Sequence, residues 1–197
     1  MTILNKATIQ KLKNDFMRCY SKNVVYREVA RCDGFPLFMA TRNPEFNKYI
    51  SWSAPKEEKD IFLPIDKLIR EQNLNESVVL SICHKYTGEW MGVARLKEWK
   101  DGIEIGIFLH PNYWGRGVVF ASGGPLLEVI VNSLPDLPVY IRIMKENERM
   151  KRLTDFYSFE KQEEISEEKH PVEGVFILEV YKLNKNIRTT YKNMGYF

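Results

Sequence analysis

The stretch Trp114-Gly115-Arg116-Gly117-Val118-Val119 stands between two apolar segments. Before it come residues 103–109 and the link His110-Pro111-Asn112-Tyr113, and after it residues 120–134. The pattern reads as a strand, a glycine-bearing loop and then a helix. Glycine lets such a loop turn and brings its backbone close to a ligand. The first N–H groups of the helix have no intrahelical acceptor, and with the positive end of the helix dipole they form an anion site suited to a diphosphate. The loop is neither G-x-x-x-x-G-K-[ST] nor G-x-G-x-x-G, and no acidic residue lies near the spacing a dinucleotide ribose requires. Nucleotide hydrolysis and dinucleotide redox chemistry are therefore weak readings.

The segments around this unit alternate between both periods. Residues 8–20 form an amphipathic helix, with Ile9, Leu12, Phe16 and Cys19 near one face. Residues 24–30 and 37–41 read as strands joined by a turn at Asp33-Gly34. Asn43-Pro44 is a cap followed by proline at a first helical position, and residues 53–55 roughly repeat that signature before a longer helix over 56–71. A three-strand antiparallel meander follows over 77–84, 91–98 and 103–109, with turns at 86–89 and 100–102. Past the central helix, 138–144 is a strand, 146–157 a helix, and 159–165 with 175–183 a closing hairpin. This order predicts an α+β fold, a mixed and mostly antiparallel sheet with helices on both faces.

Gly123-Gly124-Pro125 conflicts with the central helix, because an interior proline costs about 3 kcal/mol and each glycine roughly 1 kcal/mol relative to alanine. A kink or break is expected there, or two helices with Pro125 opening the second. Burial of Leu126, Leu127, Val129, Ile130 and Val131 against the sheet would keep the segment helical.

At 197 residues, 44% hydrophobic and 13% aromatic, the chain reads as one globular domain. Residues 1–34 form an N-terminal extension and 184–197 a tail. No run approaches the roughly 18 apolar residues of a membrane span, and residues 1–30 carry charges throughout, so a cytoplasmic location without membrane attachment is the expectation. Cys19, Cys32 and Cys83 have no paired ligand spacing and read as reduced core thiols, with no metal implied. A net charge of +3 is too mild to announce nucleic acid but suits an anionic cofactor. Lys182, Lys185, Arg188 and Lys192 raise an alternative, action on nucleic acid or tRNA, although such a run is usually a solvated tail.

With these motifs in this order, the chain resembles the GNAT superfamily of N-acetyltransferases, whose pyrophosphate loop is Q/R-x-x-G-x-G/A. Within it the chain is most similar to the branch typified by the RimJ and RimL ribosomal-protein acetyltransferases, where W-G-x-G commonly stands in that loop. The resemblance spans about residues 35–181, including Glu89-Trp90-Met91-Gly92-Val93-Ala94-Arg95-Leu96 and Asn147-Glu148-Arg149. It implies a GNAT-like acyl-CoA N-acyltransferase fold, with acetyl-CoA as co-substrate and no metal. The activity implied is transfer of acetyl to a primary amine, a protein N-terminus or a small molecule, by direct attack in a ternary complex. It also implies a bulge in the strand before the loop, opening a gap for the pantetheine arm. Phe108 and Leu109 would contact that arm through their backbone. Trp114 stands at the head of the loop, and Gly115, Arg116, Gly117, Val118 and Val119 would surround the pyrophosphate. Asn147 would hydrogen-bond the pantetheine, cap a helix, or do both.

Glu104 matches a glutamate found on this strand in several family members and is the favoured general base, taking the ammonium proton through water. It alternates with Ile103 and Ile105, on the face opposite the core-like residues. Its competing role is a structural carboxylate paired with a lysine or arginine across the sheet. His110 is a rival base on the same strand face. Four positions depart from the family pattern. Val119 replaces a final Gly or Ala, Met150 a small residue, and Ser158-Phe159 the usual G-F, while Thr154 stands where many relatives place the tyrosine that protonates the thiolate. Tyr157 would substitute only in a different helix register. These departures keep a second reading open, a degenerate acetyltransferase fold that binds acyl-CoA or a partner without catalysis. Acceptor determinants are expected around Trp52, in residues 166–174 and in the C-terminal stretch. Tyr191, Tyr196 and Phe197 would dock on the protein itself or on the second subunit of a homodimer.

Overall fold

The computed structural model describes residues 4–170 and 174–184. The tail residues Lys185, Arg188, Tyr191, Lys192, Tyr196 and Phe197 lie outside the described residues.

Helix α1 (Lys6–Arg18) begins where the Asn5 side chain accepts the Thr8 N–H at 2.9 Å, and it buries Ile9, Leu12 and Phe16. Lys13 is buried among them because its ammonium is satisfied by the Asn75 side chain at 2.9 Å and the Gln72 carbonyl. Strand β1 (Val24–Glu28) runs into a 3-10 turn, Arg31–Asp33, and then into helix α2, Gly34–Thr41.

This corrects the expected hairpin, since residues 37–41 are helical. Asp33 is turned inward, where its carboxylate accepts Arg27, the Ser81 hydroxyl at 2.6 Å and the Ala30 N–H at 2.9 Å. That knot turns the chain off the sheet edge. Residues 37–40 are all apolar and carry no period of their own, so helix and strand were indistinguishable in them. The buried set Leu37, Ala40 and Thr41 has helical spacing.

Helix α3 (Pro44–Asn47) is capped by Asn43, as expected, and α4 (Phe62–Asn73) follows a 3-10 turn, Glu58–Ile61. The meander comprises β2 (Val78–His84), β3 (Trp90–Trp99) and β4 (Gly102–Leu109). After helix α5 (Val118–Ser133) come β5 (Val139–Met144), α6 (Glu148–Phe156) and the hairpin β6 (Phe159–His170) with β7 (Gly174–Leu183). Among the described residues seven strands are ordered β1-β2-β3-β4-β5-β7-β6, and only β4 with β5 is parallel. The mixed, mostly antiparallel sheet with helices is the predicted fold class. One apolar cluster, including Leu12, Leu80, Leu96, Ile103 and Ile130, lies under α1, α5 and α6. The other, including Leu37, Phe46, Ile65, Val79 and Val93, lies under α2, α3 and α4.

The expected break in α5 does not occur, because the helix runs without interruption through Gly123, Gly124 and Pro125. Proline deprives the Ala121 carbonyl of a donor and crowds the preceding turn. Side chains supply donors to the neighbouring carbonyls, with the Tyr26 hydroxyl donating to Ser122 and the Tyr157 hydroxyl to Phe120. Burial of Leu126, Leu127 and Ile130 offsets the remainder. Gly123 has a packing reason, since a Cβ there would stand 2.8 Å from the Tyr157 ring.

Cys19 is half-buried, Cys83 buried and Cys32 exposed, so Cys32 is not the core thiol expected. Burial pushes the Cys19 thiol up to about 11, and its neighbour Glu128 adds to the shift. Among the described residues no helix is long and apolar enough to cross a membrane, and no cluster of three or more His, Cys, Asp or Glu could hold a metal ion.

Candidate active site

Strands β4 and β5 pair at Ile103 with Val139 and at Glu104 with Tyr140, and then separate. Beyond that point β4 stays on β3 as far as Leu109, while β5 stays on β7 as far as Met144. A wedge therefore opens between residues 105–109 and 141–144. The expected bulge in β4 is absent, because β3 and β4 keep one register from Gly92 with Leu109 to Trp99 with Gly102. The register shift lies one strand over, where Ile82 pairs with Gly92 but Cys83 with Trp90. At Gly92 a Cβ would stand 2.9 Å from the Leu109 Cα and still closer to the Phe108 carbonyl oxygen. Glycine there lets the end of β4 lean over β3 and away from β5.

Antiparallel pairs alternate in their hydrogen bonding, and the His110 N–H donates to the Met91 carbonyl at 2.8 Å. By that parity Phe108 exchanges its backbone bonds with Val93, whereas Ile107 and Leu109 turn theirs toward the wedge. The Ile103 N–H, two steps earlier in the same phase, donates across to the Pro138 carbonyl at 2.9 Å. The Leu109 carbonyl is taken by the Trp114 indole N–H at 2.9 Å. Of the expected pair Phe108 and Leu109, only Leu109 aims backbone at the gap. Ile107 is the residue that the sequence reading missed, and strand parity would have found it.

Two cavities meet at the wedge. One, of about 720 Å³, is lined by Leu109, Trp114, Gly115, Gly117, Val118 and Val119 and, from α6, by Arg149 and Arg152. The other, of about 610 Å³, is lined by Trp52 and Glu104 and, from the far strands, by Arg142, Glu168 and Lys169. Tyr49, Ile50, Ile107, Phe108, Asn147 and Met150 border both.

Gly115 and Gly117 sit at φ +71° and +74°, the left-handed region that favours glycine, and Gly117 caps α5. Ala121 makes the first intrahelical bond, to the Gly117 carbonyl at 2.9 Å, so the N–H groups before it have no helical partner. No acidic residue stands in this first turn. Arg116 is exposed and does not line the cavity; the cations that do are Arg149 and Arg152. The Arg149 guanidinium lies 4.4 Å over the Trp114 ring. Their spacing on the helix after Asn147 was the available signal. Val119 forms part of the cavity wall and packs against the core.

Asn147 caps α6 by accepting the Met150 N–H at 3.2 Å, and its amide nitrogen makes no hydrogen bond to a described residue. Thr154 is buried, its hydroxyl donating to the Lys151 carbonyl at 2.7 Å. Tyr157 is buried with its hydroxyl on the Phe120 carbonyl. Neither residue lines either cavity, so both hydroxyl donors are committed elsewhere.

Glu104 is 8% exposed, with Arg142 Nη2 at 3.0 Å from one oxygen and Arg142 Nε at 3.0 Å from the other. Lys97, its cross-strand partner on β3, stands 3.1 Å away. Arg142 also reaches Glu168 at 3.3 Å. His110 lines neither cavity; its Nδ1 accepts the Asn112 N–H at 3.1 Å, and burial holds its imidazole below the usual range.

The chain's residues 23–156 match the family model described as an acetyltransferase (GNAT) domain, and the chain belongs to that family. A comparison with curated protein sequences finds no match. Among solved structures it is similar to a GCN5-related N-acetyltransferase from Brucella melitensis (15% identity, TM-score 0.71, covering 89% of this chain and 83% of that one). It is similar also to a GNAT-family acetyltransferase from Bacillus anthracis (13%, 0.69, 85% and 98%). A third is the microcin C7 self-immunity acetyltransferase MccE, solved with acetyl-CoA and AMP (18%, 0.68, 82% and 92%). At these identities the likeness is one of fold. The family transfers acetyl groups from acetyl-CoA to amines on proteins or small molecules.

Proposed function

We propose that this chain transfers acetyl from acetyl-CoA to a primary amine by direct attack in a ternary complex, in the manner of the RimJ/RimL-like branch. The observation that carries this reading is the meeting of two cavities across the β4–β5 wedge, which gives donor and acceptor separate entrances to one place. The loop fits an acyl-CoA diphosphate, because two glycines hold it open at positive φ and the start of α5 presents unpartnered N–H groups. The co-substrate supplies the activated acyl group and a thiolate leaving group.

The backbone at Gly115, Gly117, Val118 and Val119 holds the diphosphate, with Arg116 at the loop tip and Arg149 and Arg152 opposite. Ile107 and Leu109 extend their backbone toward the pantetheine, and an N–H there faces the thioester oxygen. The amide nitrogen of Asn147 orients the same arm. Glu104 lies about 10 Å along the strand from Ile107, too far for direct contact, so it accepts the ammonium proton through water. Positioning supplies most of the rate, since the hydroxyls of Thr154 and Tyr157 are engaged elsewhere.

Thiol release from acetyl-CoA, measured with a panel of primary amines, tests the reading. No release with any amine, despite measurable CoA binding, would sink it in favour of a non-catalytic acyl-CoA or partner-binding protein. That second reading is favoured by the engaged hydroxyls of Thr154 and Tyr157. If Glu104→Gln keeps turnover at neutral pH, Glu104 leaves the mechanism and its ion pairs are structural.

A further inference from the structure

We infer that the acceptor is a small amine carrying an anionic group, a phosphate or a carboxylate, near its amino group. The inference rests on the acetyl-transfer reading and deepens it. Its basis is the charge balance of the acceptor-side cavity, whose lining holds five cationic side chains against three carboxylates. Each carboxylate already has its cation. Glu71 is held by Arg95 at 2.7 Å and by the Ser77 hydroxyl at 3.0 Å. Glu104 is held by Arg142 and Lys97, and Glu168 by Arg142. Lys67 from α4 and Lys169 from β6 line the same cavity from opposite walls and make no ion pair among the described residues.

Among the described residues the surplus is therefore two positive charges at the mouth of a concave site, where low-dielectric walls focus the field. An amine with several ammonium groups finds no free carboxylate there and is repelled by both lysines. An amine with a phosphate or carboxylate finds two ammonium donors and, deeper, the apolar wall of Leu37, Ile50 and Trp52. The same field disfavours the charged form of the acceptor's own amine, so the attacking neutral form is more abundant and the tightly paired Glu104 has less to do.

The test measures kcat/KM for thiol release at saturating acetyl-CoA with matched acceptors. These are glucosamine 6-phosphate against glucosamine, β-alanine against propylamine, then spermidine and an uncharged tripeptide. The anionic member of at least one pair is expected to exceed its neutral partner tenfold or more, and raised salt should shrink that ratio. Which pair responds separates phosphate from carboxylate. The double variant Lys67→Gln/Lys169→Gln should bring the ratio toward one, with the KM for acetyl-CoA within twofold of the parent. Turnover of spermidine, a neutral amine or the tripeptide at least as fast as of the anionic amines would overturn the inference, as would a ratio indifferent to the double variant. If no amine is turned over, acetyl transfer fails as a reading. Equilibrium binding of glucosamine 6-phosphate over glucosamine to the CoA-loaded protein then decides the anion preference separately, and equal affinity would refute it.

Discussion

Replacing Gly123 by alanine places a methyl group where the Tyr157 ring already stands, whereas the same change at Gly124 meets ordinary contact. A Cβ at Gly123 would lie 2.8 Å from Tyr157 Cε2 and 2.9 Å from its hydroxyl oxygen; at Gly124 its nearest neighbour is that oxygen at 3.6 Å. The ring is buried and its hydroxyl donates to the Phe120 carbonyl, so it has little room to withdraw. Either alanine gains about 1 kcal/mol of helix propensity over glycine. Gly124→Ala should therefore stabilise by up to about that amount. Gly123→Ala adds an overpacking cost of about 1–3 kcal/mol, which leaves it neutral to roughly 2 kcal/mol destabilising. The two variants differ by the steric term alone. At about 2–4 °C per kcal/mol for a chain of this size, their thermal midpoints should separate by roughly 2–12 °C, with Gly124→Ala the higher. Adding Tyr157→Leu should narrow that gap through a favourable coupling with Gly123→Ala. Equal midpoints, or a higher one for Gly123→Ala, would refute the account of why glycine stands inside this helix.

Three further outcomes follow from the loop and its surroundings. Gly117→Ala meets no atom within 4 Å but must hold φ +74°, at a cost of about 1–2 kcal/mol, so its midpoint should fall by roughly 2–8 °C while Gly117→Asn recovers part of the loss; an unchanged midpoint for alanine would discredit the strain argument. On the proposed reading Arg149→Ala removes one charge-assisted phosphate contact worth about 1.5–3 kcal/mol, so the KM for acetyl-CoA should rise about tenfold or more with kcat little changed, and an unaltered KM would move the phosphates away from α6. His110 is held below its usual range by burial, against the opposing pull of Glu89, so its contribution to stability is complete above its unfolded value of about 6.5 and is lost as pH falls through the lower folded value. The midpoint of the parent protein should thus fall more steeply from pH 7 to pH 5 than that of His110→Gln, and parallel profiles would show that His110 does not titrate differently on folding.

The sheet was legible because short apolar runs of strand length are bounded by turns that carry Gly88 and Gly102. Residues 37–40 were not, since a short run of apolar side chains has no phase, and the deciding contact is Asp33 on Ser81, 48 positions away in sequence. The same distance problem hid the fate of Pro125. Its cost is visible locally, but the hydroxyls that supply the neighbouring carbonyls come from Tyr26 and Tyr157, on elements that only the fold brings there. The loop glycines and Asn147 stand in the sequence motif, whereas Arg149 and Arg152 show there only their spacing after Asn147 and come to the cavity through the placement of α6 against the loop. The two roles weighed for Glu104 could not be separated, because its partner Arg142 lies on a strand reached only after the crossover through α5.

That partner changes what acid–base chemistry the site can offer. A carboxylate shared by a guanidinium and an ammonium has its oxygens engaged, and any water it polarises feels the two cations as well. Thr154 and Tyr157 are withdrawn from the wedge, so neither hydroxyl compensates on the leaving-group side. On the proposed reading, the rate must come from holding the amine against the acyl carbon and from keeping that amine neutral, and both follow from placing cations around the acceptor rather than a strong base beside it. The engaged carboxylate and the cationic cleft are then one design. Removing one of these cations, by Lys97→Gln for instance, should weaken the field that keeps the acceptor amine neutral and raise the pH at which kcat/KM for a given amine reaches half its maximum. A profile unmoved by that change would mean that the cations around the acceptor do not set the protonation of the amine.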